Sequence, residues 1–351
     1  MTIRFVSATA MCVTAVLLVC AFAAPVLAAA TLNGAGATFP EPIYASWMSK
    51  YYELKGLKVN YQGIGSSGGI NQIKAKTVDF GGSDAPLTPA ELSEAALVQF
   101  PMVVGGVVPI VNLAGVEPGE LRLTPDVIAG IFAGDITEWD NEAITKLNPG
   151  IAFPNEPITT VHRADGSGTT WIFTNYLDRV SPSWHEKIGT GKTVAWPGGV
   201  GAKGNPGVAA YVQRVDYSIG YVEYAFAVQN NMPWVMLQNR AGKFVAPTME
   251  SFQAAARNAD WANAAGFYLV LTDQPGDETW PIVGATFVLI QKEQANAETA
   301  KAMLSFFDWC YRFGGDMARQ KNYVPLPMSV VEMVEAAWKT EVRAAGKPVW
   351  K

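Results

Sequence analysis

Histidine and cysteine are almost missing from this sequence, at two and three of 351 residues. His162 and His185 are separated in the chain and no cysteine lies near either, so a transition-metal site of nitrogen and sulfur ligands has no basis. Charge is sparse too. Only 16 % of residues are charged and the balance is acidic, at −5, which argues against nucleic acid as a partner. Nothing after the first thirty residues runs apolar for the ~20 positions a membrane span needs. There is no low-complexity segment and no short repeat. What is present is a chain 49 % hydrophobic, which implies a sizeable core, with length for two domains of roughly 150 residues each.

The N-terminus is the exception to the sparse apolar pattern. Arg4 is the only charge before Glu41, and residues 10–24 are continuously small or apolar. Pro25 breaks the run, and Val26-Leu27-Ala28-Ala29-Ala30 offers small residues at several cleavage sites. This is the layout of a secretory signal peptide, expected over residues 1–28. Cys12 and Cys20 would leave with it, and bulky Val19 before Cys20 speaks against a lipid anchor. The mature chain would keep Cys310 alone and form no internal disulfide, so its fold must rest on its core. Cys310, within Phe306-Phe307-Asp308-Trp309-Cys310-Tyr311, reads as buried helix packing. Losing Arg4 leaves 25 basic against 31 acidic residues, a net −6. Any bound anion would then be held by local geometry and not by overall field.

A strand signal, a turn rich in glycine and serine, and a helix signal recur along the chain, the pattern of an α/β protein. The first helix is predicted to start at Pro40, with Ile43, Trp47, Tyr51 and Leu54 on one apolar face. Residues 57–61 read as a strand, followed by a glycine-rich turn and a short helix with Ile70 and Ile73 inward. Residues 78–86 form a strand ending in a turn. Another strand at 158–161 leads through a turn to a helix with Ile172, Tyr176, Leu177 and Val180 on one face. Two long apolar runs, 103–113 and 282–290, are candidates for strands crossing between two lobes. They divide the mature chain into 29–112 plus 286–351 as lobe I and 113–285 as lobe II.

The turns share a physical property. Most open a helix, whose first N–H groups are unpaired and whose dipole is positive there, so each is a ready anion site. Structural caps use the same residue types, so one turn alone says little. Several turns with an arginine beside one of them point to a tetrahedral oxyanion. Four turns carry a specific likeness: Asn33-Gly34-Ala35-Gly36-Ala37-Thr38-Phe39-Pro40, Tyr61-Gln62-Gly63-Ile64-Gly65-Ser66-Ser67-Gly68-Gly69, Ser83-Asp84-Ala85-Pro86, and Arg163-Ala164-Asp165-Gly166-Ser167-Gly168-Thr169. In order and over essentially the whole mature chain, the sequence resembles the phosphate-binding proteins of phosphate-specific ABC transporters, the PstS family. The likeness continues through Ile219-Gly220-Tyr221-Val222-Glu223-Tyr224, Phe306-Phe307-Asp308-Trp309 and Ala336-Ala337-Trp338-Lys339.

That resemblance implies a two-lobed periplasmic binding-protein fold of type II, with two hinge crossovers and the ligand in the cleft between lobes. It implies a monomer in the periplasm that binds inorganic phosphate and docks on a membrane permease, with no cofactor and no catalysis. Thr38, Phe39, Ser66 and Asp84 would contact phosphate from one lobe, and Arg163, Ser167, Gly168 and Thr169 from the other. Asp165 would pair with Arg163 and orient its fork. An ionised Asp84 can only accept hydrogen bonds, so it would demand a ligand that brings a proton. Phosphate does so near neutral pH and sulfate does not. His162 stands where relatives can carry a second arginine, and it reads as a structural histidine beside the site.

Two motifs imitate other chemistry. Gly65-Ser66-Ser67-Gly68-Gly69 fits a hydrolase nucleophile elbow centred on Ser67, but neither histidine has a flanking motif for a base. Gly189-Thr190-Gly191-Lys192-Thr193 ends like a P-loop, yet Glu186 replaces the leading glycine and Trp196-Pro197-Gly198-Gly199 cannot continue a helix. Asp135, Glu138, Asp140 and Glu142 lack calcium-loop spacing. The rival functions are a receptor for sulfate or molybdate, which Asp84 opposes, and a secreted serine hydrolase or phosphatase.

Overall fold

The computed structural model describes residues 31–351, so the expected signal peptide lies outside the described residues. The chain opens with β1 (Thr31–Gly36), α1 (Glu41–Lys55), β2 (Lys58–Gly63), α2 (Ser66–Lys74) and β3 (Phe80–Ser83). β1 lies between β2 and β3 and pairs with both in parallel. Parallel neighbours need a crossover, and α1 and α2 supply it. In α1, Ile43, Trp47 and Tyr51 recur at helical spacing and are buried, while Glu41 and Lys55 complement the dipole at its two ends. Gly56, with a left-handed φ of 69°, ends the helix. Two details correct the sequence reading. Pro40 is the N-cap and not the first helical residue, and Leu54 is 54 % exposed. Residues 52–55 are all exposed, so the last turn projects beyond the core and its apolar spacing finds nothing to pack against.

β4 (Leu97–Asn112) is buried at every position except Asn112. After it the plan repeats with β5 (Thr159–Arg163), α3 (Gly168–Val180), β6 (Val200–Ala202), α4 (Gly204–Arg214) and β7 (Ser218–Glu223). Here β5 runs parallel to both β6 and β7. The chain returns through β8 (Val283–Gln291), antiparallel to β3 and β4, and closes with α5 (Ala297–Phe313) and α6 (Met328–Glu341). The strand order is β2-β1-β3-β8-β4-β7-β5-β6, with Val324–Pro325 pairing β4.

β4 joins the two halves by changing partners. Its residues 97–106 pair with β8 and its residues 107–112 with β7. The first half is packed by aromatic contacts: Phe307 of α5 sits edge-on to Phe80 and Phe100, and Phe100 edge-on to Trp338 of α6. Cys310 is buried in the same helix as Phe307, as expected. Each parallel set of strands ends in a group of turns, and the two groups of turns face each other.

Candidate functional site

Every residue singled out from the turns follows the carboxyl end of a parallel strand, where open α/β sheets bind ligands. Thr38 and Phe39 follow β1, Ser66 follows β2, Asp84 follows β3, and the segment from Arg163 to Thr169 ends β5 and begins α3. Contacts between the halves bring them together. The Ser67 N–H donates to the Gly166 carbonyl at 2.9 Å, and Asn205 donates to Thr38 Oγ1 through its backbone N at 3.1 Å and Nδ2 at 3.0 Å. Thr38, Ser66, Asp84, Arg163, Ser167 and Thr169 are each 4 % exposed or less. Surface hollows of about 740 and 600 Å³ lie elsewhere and hold none of these groups. A small ion needs a tight cradle, and the turns form one.

Four helix N-termini converge on the cradle. α1, α2 and α4 begin without a side chain of the N-cap residue bonded to them, so each brings its positive dipole end to the cleft. The first amides of α1 and α4 are taken by protein acceptors: Glu41 N donates to the Thr38 carbonyl, Gly204 N to Asp165 Oδ1 and Asn205 N to Thr38 Oγ1. In α3, Ser167 Oγ accepts from Thr170 N at 3.0 Å. The amides of Gly168 and Thr169, within that first turn, have no helical partner, and Phe39 N–H finds no backbone acceptor among the described residues. Phe39 is placed from the far side: its carbonyl accepts from Tyr323 Oη at 2.7 Å.

The single cation is held by a two-pronged pair. Arg163 Nε donates to Asp165 Oδ1 at 2.8 Å and Nη2 to Oδ2 at 2.5 Å. Partial burial pushes the Asp165 carboxyl up, but the hydrogen bonds and charge of Arg163 outweigh it and hold the group below its ordinary value. Asp165 Oδ1 also accepts from Gly204 N at 3.0 Å, tying the pair to the start of α4. Arg163 Nη1 remains turned to Thr169 Oγ1 at 3.3 Å.

Asp84 is built differently. Its Oδ1 accepts from Thr286 Oγ1 at 2.8 Å, and its buried Oδ2 has no partner among the described residues. Burial pushes its carboxyl up to about 7, against the opposing pull of the Thr286 hydrogen bond and the Arg163 charge. Glu223 is also fully buried, its Oε2 accepting from Ala225 N at 2.9 Å and lying 2.8 Å from Tyr323 Oη, whose single proton it shares with the Phe39 carbonyl. Burial raises that carboxyl well above its ordinary value despite both hydrogen bonds. Carboxyls therefore outnumber the one guanidinium, and an anion here depends on aimed dipoles and not on net charge.

Two glycines make the closure possible. Gly65 has φ of 84°, and a side chain on it would run into the Asp165 carboxylate across the cleft. At Gly168 a Cβ would strike the Ser66 hydroxyl and lie 2.6 Å from Asp84 Cβ and 2.7 Å from Asp84 Oδ2. Gly168→Ala is expected to weaken oxyanion binding by about 1–3 kcal/mol through overpacking of the closed cleft. Calorimetric titration checks this, and affinity within twofold of wild type would show that the cleft tolerates the methyl.

Sequence reasoning missed four residues: Asn205, Glu223, Thr286 and Tyr323. Only Asn205 had a local signal, since Gly204-Asn205-Pro206-Gly207 opens α4 directly after β6, in the same strand–turn–helix arrangement as the others. His162 stacks on Trp196 with centroids 4.9 Å apart and burial lowers its pKa, while His185 Nδ1 lies 2.9 Å from Asp178 Oδ1. Neither serves Ser67 as a base. No helix follows Lys192 and Thr193 directly, so the P-loop imitation has no structural counterpart.

A two-lobed α/β fold with a buried, donor-rich cleft between its halves defines a solute-binding protein of type II. The family model described as the PBP superfamily domain matches residues 23–312. The phosphate-binding protein PstS of Pasteurella multocida is 52 % identical over 324 residues, covering 92 % of this chain and 94 % of that protein. PstS of Methanocaldococcus jannaschii is 38 % identical, covering 85 % and 83 %. Among solved structures, a high-affinity periplasmic phosphate-binding protein (PfluDING) bound with phosphate shares the fold, with a TM-score of 0.73. It is 22 % identical, with 92 % of this chain and 96 % of that one covered. The chain belongs to the PstS family of phosphate-binding proteins.

Proposed function

We propose that this chain binds inorganic phosphate in the closed cleft and delivers it to the permease of an ABC transporter. It is a binding protein and not an enzyme, like the relatives it matches. The observation that carries the ligand choice is the unpaired acceptor Asp84 Oδ2, buried among hydroxyls and helix N-termini. A tetrahedral anion satisfies the donors, and only one that keeps a proton satisfies the carboxylate. Sulfate and molybdate lack that proton near neutral pH, which disfavours the oxyanion rival.

In this reading the contacts are Thr38, Phe39, Ser66 and Asp84 from lobe I and Arg163, Ser167, Gly168 and Thr169 from lobe II, with Asp165 orienting Arg163. The hinge falls where β4 changes partners, between Gly106 and Val107, and beside it at Ile282 and Val283. These points lie six and three residues on the N-terminal side of the boundaries suggested by the apolar runs. Contacts from both lobes give the ligand a higher affinity for the closed state, which drives closure. The protein works as a monomer in the periplasm, exported by its N-terminal signal.

The test is calorimetric titration of the phosphate-stripped mature protein with phosphate, and with sulfate as control. Tight one-to-one phosphate binding without a sulfate response is expected. Equal binding of both would remove Asp84 from its role, and no binding of either would overturn the function.

A further inference from the structure

Asn205 is completely buried at the start of α4, and none of the ligand contacts proposed above belongs to it. Its backbone N and its Nδ2 both donate to Thr38 Oγ1, and Nδ2 also reaches Thr169 Oγ1 at 3.3 Å. Its Oδ1 accepts from Glu223 N at 3.1 Å. A backbone N–H can only donate, so Glu223 settles which end of the amide is oxygen and turns the NH₂ end to the threonines.

A hydroxyl has one proton and two acceptor positions. Asn205 fills both acceptor positions of Thr38 Oγ1. Those of Thr169 Oγ1 are filled by Asn205 Nδ2 and Arg163 Nη1, each at 3.3 Å. Each threonine is left with its O–H, which no described protein group accepts.

We propose that Asn205 is a positioning residue for oxyanion binding: it commits the hydroxyls of Thr38 and Thr169 to donate into the cleft. Hydroxyls are otherwise indifferent, able to accept as readily as donate, and the deprotonated oxygens of an anion need donors. Thr38 lies in one lobe, Thr169 and Asn205 in the other, so this donor set is complete only in the closed form. The inference rests on the phosphate reading of the cleft and adds to it how the donors acquire their direction.

A double-mutant cycle tests it, with inorganic phosphate titrated into stripped wild type, Asn205→Ala, Thr38→Val/Thr169→Val and the triple variant. Asn205→Ala is expected to weaken binding by ~10- to 30-fold in the wild-type background and by less than about threefold once both hydroxyls are gone. Equal penalties in the two backgrounds would show a structural role independent of the threonines and overturn the proposal. Thermal unfolding of each variant without ligand reports whether it folds. Should Asn205→Ala fail to fold, the near-isosteric Asn205→Asp replaces it, because a carboxylate accepts where the amide donates and draws both protons away from the ligand. Its loss must again be larger when the threonines are present. Wild type that fails to bind phosphate overturns the phosphate reading together with this one, whereas wild-type binding with equal penalties overturns the role of Asn205 alone.

Discussion

Arg163→Ala is expected to weaken phosphate binding by on the order of 3–5 kcal/mol, roughly a hundredfold to a few thousandfold at ~1.4 kcal/mol per tenfold. Two losses combine. The charge-assisted contact itself is among the stronger hydrogen bonds. Its removal also strips Asp165 of the partner that holds two of its oxygens at 2.8 and 2.5 Å, leaving a carboxylate beside an anion. Arg163→Lys should recover only part of the affinity, since an ammonium cannot grip Asp165 with a fork and still face Thr169. Calorimetry decides between these outcomes. Near-native affinity of the alanine variant would show that the arginine is peripheral and that backbone dipoles hold the anion.

Asp84→Asn should relax the rejection of sulfate, narrowing the gap between the two anions by about a hundredfold or more. Thr286 Oγ1, which donates to Asp84 Oδ1 at 2.8 Å, would hold the amide oxygen. The NH₂ would then stand where the unpaired Oδ2 stood and donate to a fully deprotonated ligand. Acid should imitate the substitution. The Asp84 carboxyl is pushed up to about 7 in the closed cleft, so it is ionised above that pH and increasingly protonated below it. Protonated, it can donate, and sulfate rejection in wild type should weaken as pH falls from about 8 to 6. The asparagine variant should lack this pH dependence. Unchanged sulfate rejection in Asp84→Asn would place the selectivity elsewhere.

The turns that form the cleft were legible because their chemistry is local. A helix N-terminus, small residues and a hydroxyl occupy a handful of consecutive positions, as in Arg163-Ala164-Asp165-Gly166-Ser167-Gly168-Thr169. The pairing of Arg163 with Asp165, two residues on, is equally local. Fold class followed from the repeated strand–turn–helix order. Leu54 shows where periodicity fails, since a face can be apolar in sequence and still extend past whatever it was meant to cover.

By itself, then, the sequence determined the class of fold, the turns that form the cleft and the carboxyl that the proposal makes its selector. Tertiary structure decided the groups that aim them. Asn205 reaches Thr38 across 167 positions, Thr286 reaches Asp84 across 202, and Tyr323 reaches the Phe39 carbonyl across 284. Nothing local marks Thr286 or Tyr323, because a hydroxyl on a strand or in a loop is ordinary until the fold sets it against a buried partner. Burial has the same origin. A carboxyl such as Glu223 is unremarkable in sequence, and only the packing of both halves around it removes the water that would favour its charged form and so raises its pKa.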